Sequence, residues 1–257
     1  MGGGATYRIG TSGYSFDDWV GRFYPPGTAR ADMFAFYLQH FCTVELNFTY
    51  YRMPPPRTLE SLAASSPEGF DFWVKANQRT THRQDRTAAS EFVANLAPLT
   101  QRGKLAGVLM QFPQSFHRTV VNREYLQATI EDFAAVPLAV EFRHASWQHP
   151  SVVEGLAERR VSLVVPDVPA IDSLFHAEPV ITGPCGYLRL HSRNAGKWYA
   201  KGADRYDYTY SDNELRELLH RWSPLEQAAP THYVFCNNCH GGQAARNALR
   251  LQQILAE

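Results

Sequence analysis

Short apolar runs and longer amphipathic stretches take turns along the whole chain. Runs rich in β-branched and aromatic residues, bounded by Gly, Pro or polar turns, predict strands over 7–10, 43–46, 71–75, 107–112, 138–142, 162–165, 186–191 and 232–235. Between them, apolar positions that recur every three to four residues predict helices over 31–41, 59–65, 87–102, 123–134, 151–159, 212–222 and 244–256. Two helix starts carry their own signals. Ser151 precedes an apolar-periodic run, and Ser211 stands three residues ahead of Glu214 as a capping box.

Strands that alternate with helices pair in parallel, because each crossover needs a helix-length connection. Eight such strands in a chain of 257 residues suit a (β/α)8 barrel, whose usual size is about 250 residues. An open doubly wound sheet is the alternative, and it would carry Gly-x-Gly-x-x-Gly in its first strand–helix turn. Gly10-Thr11-Ser12-Gly13 lacks that spacing. The expected fold is therefore α/β, a single (β/α)8 TIM-type barrel over 1–257, with residues 1–6 as a flexible tail and a pocket at the C-terminal ends of the strands.

One strand departs from plain core patterning. Over 138–142, Ala139, Glu141 and the following Arg143 share one side, while Leu138, Val140 and Phe142 share the other. Burying charges costs several kcal/mol each unless they are paired or bound. An internal Glu–Arg pair is the structural explanation; a functional carboxylate beside an anion-binding arginine is the other. The same spacing returns as Glu45 with Asn47 and as Arg189 with His191. Barrel interiors are mostly filled by branched apolar residues, so three such pairs favour a pocket. Read in order, the strand ends offer Ser12, Glu45, Asn47, Lys75, Gln111, Glu141, Arg143, Asp167, Arg189, His191, Asn237 and Asn238.

Composition narrows the partner. Formal net charge is zero and the pI about 7.2, which excludes a domain that holds nucleic acid by bulk charge alone. Loops after strands are nonetheless basic: Arg52, Arg79, Arg83, Arg86, Arg193, Lys197, Lys201 and Arg205 outnumber Asp85, Asp204 and Asp207 there. A cationic mouth predicts an anionic ligand, phosphate above all. Aromatic residues crowd the same segments (Tyr14, Trp19, Tyr24, Tyr50, Tyr51, Trp147, Trp198, Tyr199 and Tyr206), and of these Tyr14, Tyr51 and Trp198 are the expected ligand contacts. The eighth loop, Asn237 to Gly242, is expected to offer phosphate a helix N-terminus.

Cys236-Asn237-Asn238-Cys239-His240 spells the C-x-x-C-H of haem attachment, but it begins inside a strand of a chain with no secretory leader pattern. Zinc there lacks a second ligand cluster. A single divalent ion on Glu45, Glu141, Asp167 and His191 is the minority alternative, opposed by Lys75 and Arg143. No metal and no cofactor are expected. Four cysteines and no run of membrane-spanning length predict a soluble cytoplasmic protein with no membrane partner. Oligomeric state is left open.

With Gly10-Thr11-Ser12-Gly13-Tyr14-Ser15, Trp19…Phe23-Tyr24-Pro25, Thr43-Val44-Glu45-Leu46-Asn47…Tyr50-Tyr51-Arg52 and Lys75-Ala76…Thr81-His82 in view, the chain resembles the YecE-type family, domain of unknown function 72. The likeness runs on through Leu109-Met110-Gln111-Phe112-Pro113, Glu141 to Trp147, Arg189-Leu190-His191, Trp198-Tyr199 and Asn237-Asn238. The resemblance implies a TIM-type barrel akin to endonuclease-IV-like or sugar-isomerase-like barrels, without a settled activity. Phe48, Ser192 and Cys239-His240 depart from the family's usual residues.

Together these readings predict a hydrolase-like enzyme for a phosphorylated or other anionic small molecule. Glu45 and Glu141 are the acid–base candidates. Lys75, Arg143, Arg189 and His191 clamp the anion, with Lys75 as an alternative nucleophile. Ser12, Tyr14, Asn47, Tyr51, Arg52, Gln111, Asp167, Trp198, Asn237 and Asn238 are the expected binding residues. A module that grips nucleic acid without catalysis is the rival reading.

Overall fold

The computed structural model describes residues 5–200 and 202–257. Lys201 of the expected basic mouth and residues 1–4 of the expected tail lie outside the described residues. Among the described residues nine strands form: β1 Thr6–Thr11, β2 Thr43–Leu46, β3 Asp71–Lys75, β4 Leu105–Gln111, β5 Leu138–Glu141, β6 Ser162–Leu163, β7 Val165–Asp167, β8 Gly186–Leu190 and β9 Thr231–Cys236. Every pair is parallel, as the helix-length crossovers predict. The strands lie in two sheets, β2-β3-β4-β5-β6 and β1-β9-β8-β7.

The two sheets are bridged at one edge and share a continuous stretch of chain at the other. The expected sixth strand is divided into β6 and β7, one in each sheet, with Val164 alone between them. Val164 N still donates to Val140 O at 2.9 Å. Pro166 inside β7 has no N–H to give a ladder, which suits a strand that changes partners. At the other edge Ser12 bridges to Glu45, and Gly13 N donates to Glu45 O at 2.8 Å. Gly10 allows this approach, because a Cβ there would lie 2.5 Å from Thr43 O.

Among the described residues ten α-helices accompany the strands: α1 Met33–Tyr37, α2 Phe48–Tyr51, α3 Pro56–Ser65, α4 Gln78–Thr81, α5 Ala88–Asn95, α6 Ala97–Gln101, α7 Val120–Asp132, α8 Pro150–Glu158, α9 Asp212–Trp222 and α10 Gln243–Ala256. The single helix expected over 87–102 is two, because Pro98 sits in the first turn of α6 and cannot extend the ladder of α5. Ser151 is not the cap of α8: Pro150 opens that helix and the His149 side chain accepts from Ser151 N. The Ser211–Glu214 capping box of α9 forms in both directions. Thr6, expected in a flexible tail, instead opens β1 and donates its N–H to Pro230 O at 3.0 Å.

Strand parity sorts the core into two parts. Val44, Phe72, Val108, Val140 and Leu188 face the helices and pack with Leu59, Phe92, Leu126, Leu156, Leu215 and Leu251. The opposite parity gives a second cluster of Trp73, Leu109, Ala139, Val164, Tyr187, Tyr233 and Phe235, drawn from both sheets. Trp73 meets Tyr187 and Tyr233 edge-on, with centroids 4.7 and 5.5 Å away. Gly107 makes room, since a Cβ there would come within 2.6 Å of the Trp73 ring. This aromatic plug underlies the polar groups described next. Among the described residues no helix is long and apolar enough to cross a membrane.

Candidate functional site

The inward parity of β2, β5 and β8 continues into a buried ion cluster. Arg189 spreads its guanidinium between two carboxylates: Nη2 lies 2.6 Å from Glu45 Oε1 and Nη1 2.5 Å from Glu141 Oε2. Tyr187 OH donates to Glu45 Oε2 at 2.7 Å, and Arg143 Nε lies 2.6 Å from Glu141 Oε1. Glu45, Glu141 and Tyr187 have no exposed surface, and Arg189 only 1%. Burial alone would push the Glu141 carboxyl up; Arg143, Arg189 and His191 outweigh it and hold it well below the usual carboxylate range. Burial works against the Arg189 charge too, but Glu141 and Glu45 hold its pKa above the ordinary value. Burial, joined by Glu45, pushes the Tyr187 phenol up.

His191 completes the cluster. Its Nδ1 lies 2.8 Å from the Asn237 amide nitrogen, and its Nε2 lies 3.2 Å from Glu141 Oε1. An amide nitrogen only donates, so Nδ1 accepts and Nε2 carries the proton towards Glu141. Burial and the neighbouring Arg143 hold the ring neutral, well below its usual pKa. The expected acid–base carboxylates therefore meet, but behind arginines and away from solvent.

Above the cluster opens a cavity of about 660 Å³. Ser12, Asn47, Lys75, Gln111, Arg143 and Asn237 form its polar floor, and Tyr14, Phe16, Phe48, Tyr50, Trp198, Tyr199 and Tyr206 its walls. Among the described residues no Asp or Glu lines it. Lys75 Nζ donates to Gln111 Oε1 at 2.9 Å, while Gln111 Nε2 donates to Phe112 O at 2.7 Å and so fixes the amide's orientation. Burial, with Arg189 adding to it, pushes the Lys75 amine down to about 7, against the pull of Glu45 and Glu141. His82, at the rim, is lowered to about 4 by burial, Lys75 and Arg143. Arg143 is 9% exposed; its guanidinium lies 5.7 Å from the Trp198 ring centre, and that of Arg205 4.6 Å.

Local sequence explains the rim. Asn77 caps α4 by accepting from Arg79 N at 3.0 Å and donates to Thr49 O at 2.8 Å, so α2 and α4 are tied together. That tie sets His82 against Tyr50, 4.9 Å between centroids. Sequence reading missed Phe16, Phe48 and His82 as lining groups and named Tyr50, Tyr199, Tyr206 and Arg205 only as loop residues. The aromatic run Phe48-Thr49-Tyr50-Tyr51, directly after Glu45 and Asn47, was the available signal.

Three expected binding residues stand elsewhere. Arg52 is exposed and lies 5.4 Å from the Phe48 ring centre; Asp167 binds Arg193 Nε at 3.0 Å and Tyr210 OH at 2.6 Å; Asn238 donates inward to Tyr208 O and Asn247. Tyr51 lines the cavity but is 74% exposed. The basic mouth is largely neutralised: Arg79 pairs with Asp85, Arg86 with Asp132, Arg193 with Asp167 and Glu217, and Lys197 with Asp207. The eighth loop holds an anion of the protein's own. Gly241 N donates to Asp18 Oδ2 at 2.7 Å, so this N–H already has an anionic partner. Cys236 is buried in β9, and the Cys239 thiol donates to Ser12 O. Among the described residues no three His, Cys, Asp or Glu side chains gather as a metal site.

Comparisons with known proteins return the same layout throughout. UPF0759 protein YunF of Bacillus subtilis (strain 168) is 30% identical over 270 residues, covering 96% of this chain and 94% of that protein. The crystal structure of a DUF72 family protein from Thermotoga maritima is 37% identical with a TM-score of 0.91, covering 98% of this chain and 99% of the other. A DUF72 family protein from Enterococcus faecalis is 30% identical with a TM-score of 0.85, covering 98% of this chain and 96% of the other. The profile described as "Protein of unknown function DUF72" matches residues 8–257, which takes in both sheets, the ion cluster and the cavity, and the chain belongs to that family.

Proposed function

We propose that the protein is an enzyme whose cavity binds an anionic, ring-bearing small molecule, with Arg143 taking the anion and Lys75 moving a proton or attacking the substrate. In this reading the two sheets are arcs of one eight-stranded barrel that makes a single domain, joined through Ser12–Glu45 and across Val164. The observation that carries it is the floor itself: Lys75 and Arg143 face one cavity that, among the described residues, no carboxylate lines, beneath aromatic walls. Arginine forks match phosphate oxygens, and rings flank sugar or aryl faces. Asn47 Oδ1 is buried without a hydrogen-bond partner and is ready to accept from a ligand hydroxyl. Glu45 and Glu141 act here as counter-ions that hold Arg189 and Arg143 in place. The nucleic-acid reading loses support because four of the loop cations it needs are already paired.

Phenyl phosphate tests the reading as a minimal ring-bearing anion. It should raise the melting temperature, and go on raising it with the logarithm of its concentration above Kd. Arg143→Gln should weaken its Kd by about 10- to 100-fold, the worth of a charge-assisted hydrogen bond. No shift with phenyl phosphate, or a shift given only by single-stranded oligonucleotides, would overturn the proposal.

A further inference from the structure

Lys75 stands out in the cavity because the carboxylates nearest to it are committed elsewhere. Glu45, on the strand beside β3, and Glu141 both pair with Arg189, and among the described residues no carboxylate forms an ion pair with Lys75. The groups that bear on its charge are Arg189 of β8, Glu45 of β2, and Glu141 and Arg143 of the β5 end, with the Tyr50 ring of α2 and His82 after α4 at the rim. Only the Gln111 amide oxygen accepts from the amine, and that amide is locked by Phe112 O. One N–H is thus anchored, which leaves the nitrogen's lone pair free to face the cavity when the amine is neutral.

Resting on the reading of this cavity as an anion site, we infer that Lys75 forms an imine with a carbonyl-bearing substrate, an aldehyde or ketone whose phosphate or carboxylate is held by Arg143. Nζ attacks the carbonyl carbon, the C–N bond forms, and the C=O π pair becomes a hydroxyl. The amine's two protons end on that oxygen, which leaves as water while the C=N bond forms. Protonation of the imine by solvent gives an iminium, and the Tyr50 ring, 4.7 Å from Nζ, is placed to stabilise that cation. A lysine kept neutral by desolvation beside another cation is the recurring condition for such chemistry, and burial brings this amine to about 7.

The chain has only four lysines, so site-specific labelling is readable. Incubating the full chain with para-formylphenyl phosphate and sodium borohydride should reduce the imine by hydride addition and leave a stable secondary amine. Peptide mapping is expected to find the label on Lys75, ahead of Lys104, Lys197 and Lys201. Phenyl phosphate, which has no carbonyl, should suppress it. The labelling rate should rise through pH about 7 and level off, whereas an ordinary lysine gains until about 10.5. Label spread over the lysines without preference, or label on Lys75 that bound phenyl phosphate does not slow, would overturn the inference. If phenyl phosphate binds through Arg143 yet nothing is trapped, the imine falls and the anion site stands; if phenyl phosphate does not bind at all, both fall.

Discussion

Two neighbouring regions of this molecule treat buried charge in opposite ways. In the lower one, Arg189 faces Glu45 and Glu141, Tyr187 supplies a further donor, and nothing is exposed. In the upper one, Lys75 sits on a cavity floor that no carboxylate lines among the described residues, beside Arg143, which joins the two regions through its pair with Glu141. Both regions arise from the same inward parity of adjacent strands, so the difference lies in pairing. Matched charges hold the strands together, while the Lys75 amine, with which no carboxylate forms an ion pair among the described residues, loses proton affinity and faces the cavity.

The largest effect should come from breaking the lower region. Arg189→Met leaves two carboxylates buried without their shared cation and should cost about 3–5 kcal/mol in urea unfolding. A loss below about 1 kcal/mol would show that the cluster does not hold the fold. The upper region sharpens the contrast through pH. Burial brings the Lys75 amine down to about 7 in the folded chain, below the about 10.4 of an ordinary lysine. Between those values the unfolded chain binds the extra proton, so this group makes stability rise with pH across that window. Lys75→Met should flatten that rise and leave the protein relatively more stable at pH 6; parallel profiles for the two chains would contradict it. The smallest effect belongs to a residue outside both regions. Arg52→Ala removes an exposed side chain stacked on Phe48, and should change stability by less than about 0.5 kcal/mol and leave phenyl phosphate binding unaltered.

How much of this was legible in the sequence depends on how far apart the partners lie. The alternation of Ala139, Glu141 and Arg143 against Leu138, Val140 and Phe142 is a two-residue period, and the strand obeys it. The Ser211–Glu214 box is likewise a local rule, and it forms. Loop charge was misleading, because counting Arg86 and Arg193 says nothing about Asp132 and Asp167 waiting beside them in space. The eighth loop misled for the same reason: Asp18 reaches Gly241 from 223 positions away.

By itself, then, the sequence determined the order of the elements, the parallel pairing and which side chains turn inward, since those follow from periods of two and about 3.6 residues. The tertiary structure alone decided which inward charges meet. Arg189 is 144 positions from Glu45 and 48 from Glu141, and only the approach of the two sheets brings one guanidinium within reach of both. That meeting is what seals the carboxylates and leaves Lys75 without a counter-ion, because electrostatic pairing acts over a few ångströms and is blind to separation along the chain.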